Sequence, residues 1–260
     1  MRVGFARVQE TSLLSGGRIQ AQCRMARSSS LACCHVTSPR GQWTAGAVRG
    51  SPYSPRMSIT LLIHEGSTAP YAPVTRMGGL PLAPAGTAWP VCATCSGHLQ
   101  FIAQLVLEEA RGTVAVFMCA NDPGLCEEWS TTAGGNRAFL FPAGGLIPLP
   151  RPNGEAVLEL GAVRGVERVE MPGQDYWDAA PAWAARAGRS TGEVLGQLGG
   201  NPYWLQNDET PDCPGCEQPM AFTAQLEEGP ESRTAPNFGS GSAYVFTCEP
   251  CRRAAFGWQC

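Results

Sequence analysis

The sequence predicts a β-dominated α+β fold: two pseudo-repeated antiparallel β modules, each carrying a Cys-x-x-Cys zinc knuckle, packed as one globular unit. Three observations predict it. The first is an internal repeat. Gly78-Gly79-x-Pro81, Pro90-x-Cys92-x-x-Cys95 and Phe101-x-Ala103-Gln104-Leu105 return as Gly199-Gly200-x-Pro202, Pro211-x-Cys213-x-x-Cys216 and Phe222-x-Ala224-Gln225-Leu226, at a constant offset of 121 residues. Val116-Phe117-x-Cys119 returns as Val245-Phe246-x-Cys248 at an offset of 129, so the second copy holds a loop eight residues longer. Ten identities in register over 28 positions are not chance, and a repeat on this scale defines the architecture. The second observation is that eight of the 12 cysteines fall into two sets with metal-ligand spacing. The third is composition: 31 Gly and 22 Pro in 260 residues favour many turns and short strands over long helices. A chain of this length suits one large domain or two of about 100–130 residues, and 43% apolar residues suffice for a core.

The elements follow in order. Ile59–His64 reads as a short strand, and Gly and Pro then make a loop as far as Trp89-Pro90. Leu99–Leu107 and Thr113–Cys119 read as strands joined by a hairpin-like connection over Glu108–Gly112. Ala138–Phe141 is a third strand, ended by Pro142 and Gly144-Gly145. Ala156–Leu160 and Val166–Val169 read as alternating strands around Gly161–Gly165. Tyr176–Arg186 is a helix, with Pro181 either in its first turn or breaking it. A second short helix is expected over Thr191–Leu198, capped by Ser190 or Thr191. Met220–Leu226, Ala243–Cys248 and Ala254–Gln259 are strands of the second module, and polar Glu227–Gly241 reads as a mobile hairpin tip. The domain organisation expected is 1–56 as an extension, 57–150 as the first module, 151–190 as a connection and 191–260 as the second module.

Residues 1–56 differ from the rest. They carry eight Arg and one acid, Glu10, for a charge of +7, whereas residues 57–260 carry eleven Arg and 21 acids, for −10. Three readings stand for this Arg- and Ser-rich segment: an upstream extension with Met57 as the true start, a disordered basic tail, or a targeting peptide. Cys23, Cys33 and Cys34 within it are read as incidental. All 19 basic residues are Arg, which a GC-rich genome explains; selection for bidentate Arg recognition is the alternative. No run approaches a secretory core or a membrane span, so the expectation is a cytoplasmic protein whose cysteines stay reduced.

The first cysteine set is Cys92, Cys95, Cys119 and Cys126; the second is Cys213, Cys216, Cys248 and Cys251. A Cys-x-x-Cys turn presents two sulfurs on one side of a tight loop, Gly215 gives the second turn backbone freedom, and a returning strand brings the other pair. Four thiolates close a tetrahedral shell without an open position, which is the pattern of structural zinc. Two zinc ions are therefore expected, against the alternatives of buried free thiols, disulfides or a redox Cys-x-x-Cys. Cys260 is left unassigned.

His64 and His98 are the only histidines after residue 56. His98 reads as a solvated turn residue, with a fifth-ligand or outer-shell role as the alternative. No Gly-rich phosphate loop, nucleophile elbow or H-E-x-x-H run is present. Glu127, Glu128, Asp175 and Asp178 read as a solvated face rather than a catalytic carboxylate pair. Gln104 and Gln225 recur mid-strand between Ala and Leu, which predicts buried amides bonded to a neighbouring strand or loop, with a ligand contact as the alternative. Trp89, Trp129, Trp183, Trp204 and Trp258 supply core mass or, if exposed, a peptide-binding surface.

The repeated Gly-Gly-x-Pro, Cys-x-x-Cys, Phe-x-Ala-Gln-Leu and Val-Phe-x-Cys blocks resemble the YwqG-like family of bacterial domains of unknown function. They also resemble programmed cell death protein 2-like proteins, a match carried best by Gly199–Gln206, by Cys213 to Cys216 and by Phe256–Cys260. The resemblance covers roughly residues 74–260. It implies a dedicated chaperone or adaptor for a ribosomal protein on the eukaryotic side; on the bacterial side it implies no settled activity, and some members look like immunity or interaction proteins. The central finger-like domain of animal members is not found in this sequence.

The function expected is a non-enzymatic, zinc-stabilised protein-binding module, since no catalytic constellation is present. The acidic −10 portion suits a basic protein client. Nucleic-acid binding through zinc ribbons is the alternative; it conflicts with the acidic charge of the zinc-bearing part and depends on residues 1–56.

Overall fold

A computed structural model describes residues 58–108, 111–153, 163–231 and 235–260, all within one unit spanning Ser51–Cys260. The expectations for residues 1–56, Met57 and the strand Ala156–Leu160 lie outside the described residues.

The apolar run at 59–64 becomes β1 (Ile59–Ser67), which sits in the middle of a ten-stranded antiparallel sheet. On one side it pairs with β8 (Arg164–Met171), Leu61 opposite Val169. Beyond β8 come β2 (Arg76–Met77), β4 (Gln100–Val106), β5 (Thr113–Met118) and β6 (Asn136–Phe141). On the other side of β1 come β9 (Val194–Leu198), β10 (Ala221–Glu227), β11 (Ser242–Cys248) and β12 (Arg253–Gln259). The sheet curls until its two edge strands meet, so it is nearly a closed barrel. Trp258 N–H donates to the Trp129 carbonyl at 3.1 Å at this seam. The Arg252 guanidinium, reaching from the turn before β12, donates to the carbonyls of Arg111 and Phe141. A separate two-stranded ribbon joins β3 (Leu82–Pro84) to β7 (Leu146–Pro148).

The interior is filled from all sides by inward residues, among them Leu62, Leu105, Val116, Leu195, Leu226, Val245 and Phe256. Each such side chain contributes about 1.5–3 kcal/mol on burial. The outward residues of β5 and β11 are not solvated: Phe117 and Phe246 are each about 1% exposed, because the cysteine-bearing loops cover them. A bulge falls between Phe101 and Ala103 in the β4–β5 ladder, and another between Phe222 and Ala224 in the β10–β11 ladder. It turns Phe101 to the outer face and keeps Ala103 and Leu105 inside.

α1 (Tyr176–Ala187) lies across the outer face of β1, burying Ala179, Trp183 and Ala184 against Ile59, Leu61 and Ile63. Asp175 caps it, accepting from Asp178 N–H at 3.1 Å, and left-handed Gly188 ends it. Pro181 neither starts nor breaks the helix but sits inside it. The carbonyl that loses its donor belongs to Trp177, a residue 64% exposed, where water can replace the missing bond.

Three other expectations are corrected. The Gly- and Pro-rich stretch before Trp89 is not all loop, since it holds β2 and β3; strands of two or three residues leave no periodicity to read. Thr191–Leu198 is not a helix: a 3-10 turn at Thr191–Glu193, boxed by Ser190 and Glu193, leads into strand β9. Gly196 adopts φ +133°, and a Cβ there would lie 1.9 Å from the Gln225 carbonyl oxygen, so β9 packs against β10 at a distance only glycine permits. The segment after β10 is not merely a polar tip, because Phe238 is fully buried in the barrel core and its N–H donates to Glu228 Oε1 at 2.6 Å.

Candidate metal centres

The two Cys-x-x-Cys turns are built by the same bonds. Cys92 N–H donates to Gly97 O, and Cys213 N–H to Gln218 O, each at 2.8 Å. Leu99 N–H donates to Pro90 O at 3.0 Å, and Met220 N–H to Pro211 O at 2.9 Å. Ser96 and Glu217 close the turns in the left-handed region, at φ 62° and 57°. The return ligands follow from the strands: Cys119 directly succeeds β5, and Cys248 is the last residue of β11. Cys126 completes the first set because its loop folds back onto Gly135, where a Cβ would lie 2.2 Å from the Cys126 carbonyl oxygen. Cys119 N–H donates to the Gly135 carbonyl at 2.7 Å.

In each set of four the sulfurs all lie within 4.8 Å of one another, and all eight thiols are free. Cys95 and Cys119 Sγ are 3.7 Å apart, as are Cys216 and Cys248 Sγ. A tetrahedron with metal–sulfur bonds of about 2.3 Å has edges of about 3.8 Å, so the residues fit a tetrahedral thiolate-bound ion. His98 is in neither group; its carbonyl accepts from the side chain of Asn121 at 3.3 Å. Cys260 is in neither group.

Electrostatics matches this fit. Burial pushes the Cys92 thiol up, but the backbone N–H groups of Cys95 and Thr94 and the adjacent thiols outweigh it and bring it down to about 7. The Gly215 N–H, first among several donors, brings Cys213 to about 7. Two others move the opposite way: burial raises Cys126, and the neighbouring Cys216 and Cys248 raise Cys251 to about 12. Four thiolates in contact repel unless a cation lies between them.

Sequence reasoning missed Asn121. Its amide donates to Cys119 Sγ at 3.3 Å and Cys95 Sγ at 3.5 Å, orienting two ligands of the first set. It also misread Glu128, which is not solvated but 3% exposed; Oε1 accepts from Gly124 N–H at 2.5 Å within the loop that carries Cys126. Glu127, Asp175 and Asp178 are exposed.

The recurring glutamines are buried amides tied to loops. Gln104 Nε2 donates to Val74 O at 3.1 Å and Oε1 accepts from Leu82 N–H at 3.2 Å. Gln225 Nε2 donates to Glu227 at 2.9 Å and Oε1 accepts from Tyr203 N–H at 3.0 Å. Arg76, fully buried beside Gln104, was not foreseen. It donates to the carbonyls of Ala72, Gly78 and Leu80, lies over the Phe101 ring, and burial lowers it to about 10. Of the tryptophans, Trp183 and Trp258 are buried, Trp89 and Trp204 half-buried and Trp129 exposed.

Among the described residues, no helix is long and apolar enough to cross a membrane. No family model and no solved structure matches the chain. An uncharacterized protein of Salmonella typhimurium strain LT2, YpfL, is 40% identical over 66 residues, a match that takes in 25% of this chain and spans 15% of that protein's length.

Proposed function

We propose that the chain is a non-enzymatic, zinc-stabilised protein-binding module, of adaptor, chaperone-like or immunity type, acting in the cytoplasm on a basic protein client. The observation that carries this reading is the gathering of eight sulfurs into two sets of four, each within 4.8 Å of one another: an ion held by four thiolates keeps no coordination position for substrate. Tetrahedral four-sulfur sites take zinc or iron, and zinc is the ion proposed here. The ligand sets are Cys92, Cys95, Cys119 and Cys126, and Cys213, Cys216, Cys248 and Cys251.

A duplicated origin supports the same picture. Hydrogen bonds recur at the offset of 121, as in Gly78 N–H to Ile102 O at 2.7 Å and Gly199 N–H to Thr223 O at 3.0 Å. The sheet order reads as one five-strand run, β6-β5-β4-β2-β8, followed by its counterpart, β1-β9-β10-β11-β12. The similarity to YwqG-like and programmed cell death protein 2-like proteins favours interaction over catalysis. The excess of acids after residue 56 favours a basic client.

The test is affinity capture by the tagged full-length protein with in-cell crosslinking. A recurrent basic protein, lost at high salt and after metal removal, is the expected outcome. Capture of nucleic acid that nuclease treatment abolishes, with affinity falling steeply with salt, would instead favour nucleic-acid binding through the basic residues 1–56.

A further inference from the structure

Leu82–Pro84 and Tyr203–Leu205 hold matching places, 121 residues apart. Their inner sides are alike: Leu82 N–H bonds Gln104, and Tyr203 N–H bonds Gln225. Their outer sides differ. β3 is covered by β7, with Leu82 opposite Pro148, Ala83 opposite Ile147 and Pro84 opposite Leu146. Leu149 N–H donates to Pro81 O at 2.8 Å. Antiparallel ladders alternate bonded and non-bonded pairs, so 81/149 and 83/147 are the bonded pairs and Ala83 turns its N–H and C=O toward β7. Pro148 falls at a non-bonded position, where its missing N–H costs nothing.

In the second half the matching backbone groups belong to Pro202 and Trp204. The inner side is complete, since the Tyr244 hydroxyl accepts from Leu205 N–H at 3.2 Å and donates to Tyr203 O at 2.8 Å. The Trp204 ring packs inward on Tyr244, with centroids 4.5 Å apart. Among the described residues nothing pairs with the Trp204 N–H and C=O, and no strand lies over this edge. Tyr203 is 37% and Leu205 43% exposed, against 6% for Leu82. A recess of about 480 Å³, lined by Asp175, Trp177, Pro202 and Tyr203, opens beside the Pro202 end, and exposed Asp208 and Glu209 follow the other end.

We infer that Pro202–Leu205 is an open β edge that takes an extended, apolar, proline-containing strand of the client, with basic flanks, in the register in which β7 covers β3. The inference rests on the protein-binding reading above and names the contact through which it acts. The incoming strand supplies an N–H and C=O to Trp204 and an N–H to the Pro202 carbonyl, and it places an apolar side chain at the recess. Its flanking cations meet Asp175 at one end and Asp208 and Glu209 at the other.

The chain's own covering strand provides the probe. A fluorescein-labelled peptide of residues 144–152 (GGLIPLPRP) is titrated into the zinc-loaded full-length protein and followed by polarisation, with deuterium exchange read at Trp204. The expected result is saturable binding, slowed exchange of the Trp204 amide, and binding weakened about tenfold or more when the peptide is N-methylated at the position of Ile147, which removes one backbone donor. No saturable binding, or binding that ignores N-methylation and leaves Trp204 exchange unchanged, overturns the inference. If the full chain still captures a basic client while Trp204 stays unprotected, the edge is wrong and the protein-binding reading stands; failure to capture any client sinks that reading itself.

Discussion

Gln104 reaches across from β4 to accept the backbone N–H of Leu82 at 3.2 Å, and 121 residues later Gln225 does the same for Tyr203 at 3.0 Å. Each amide replaces a strand partner on the inner side of a loop, so each loop is held at a fixed height over the sheet. Replacing either by Leu preserves volume but strands a buried N–H, and for Gln104 the loop carbonyls as well. Each substitution is expected to cost about 2–4 kcal/mol in urea unfolding at fixed zinc. A loss under about 0.5 kcal/mol would show that the loops do not depend on the amides.

Arg76 and Gln197 stand at matching positions, and both bond the carbonyl four residues on: Arg76 to Leu80, Gln197 to Asn201 at 2.9 Å. Arg76→Gln should therefore retain one anchor of the first loop, whereas Arg76→Leu retains none. Thermal unfolding is expected to rank them wild type, then Gln, then Leu, with Leu down by about 1–3 kcal/mol for the carbonyls left without a donor. Equal losses in the two variants would remove the equivalence.

Gly196 is required by the closeness of β9 to β10. Gly196→Ala combines φ +133° with a Cβ placed 1.9 Å from the Gln225 carbonyl oxygen, and is expected to cost more than about 4 kcal/mol or to abolish soluble expression. Gly144→Ala, where a Cβ meets nothing within 4 Å, is expected to change stability by less than about 0.5 kcal/mol. Comparable loss in both would contradict the packing.

Glu227 links the β10 amide to α1. Burial raises its carboxyl above the ordinary range, against hydrogen bonds from Gln225, Ser242 and Tyr176 that lower it. A carboxyl raised in the folded state holds its proton longer when folded, so the stability it gives is present at low pH and is lost as pH rises through the folded-state value. The difference in unfolding free energy between wild type and Glu227→Gln cancels the thiols and other acids. It should fall in favour of the variant as pH rises from about 4.3, the unfolded value, to neutrality. A flat difference would mean that folding does not raise the Glu227 carboxyl.

What was legible in the sequence was whatever the repeat marked. The Cys-x-x-Cys turns and the two buried glutamines make the same local bonds 121 residues apart, so the sequence pattern at one place tests the reading at the other. Local chemistry misled where distant chain decided the outcome. Val194–Leu198 follows a good helix cap, yet it becomes a strand because β1 and β10 supply partners on both sides. The buried Arg76 carries no sequence signal, since its acceptors are carbonyls. The meeting of β6 and β12 depends on barrel curvature, to which no short motif points. Asn121 was findable only as a polar residue two positions after a return cysteine.

Metal content, measured by elemental mass spectrometry on the full-length protein purified under reducing conditions, is the decisive experiment. Two zinc ions per chain are predicted, with Cys92→Ser and Cys213→Ser each losing one and a strong chelator unfolding the protein. A folded chain that carries no metal, or one whose metal content is unchanged by both substitutions, would contradict the four-thiolate scaffold on which the functional reading depends.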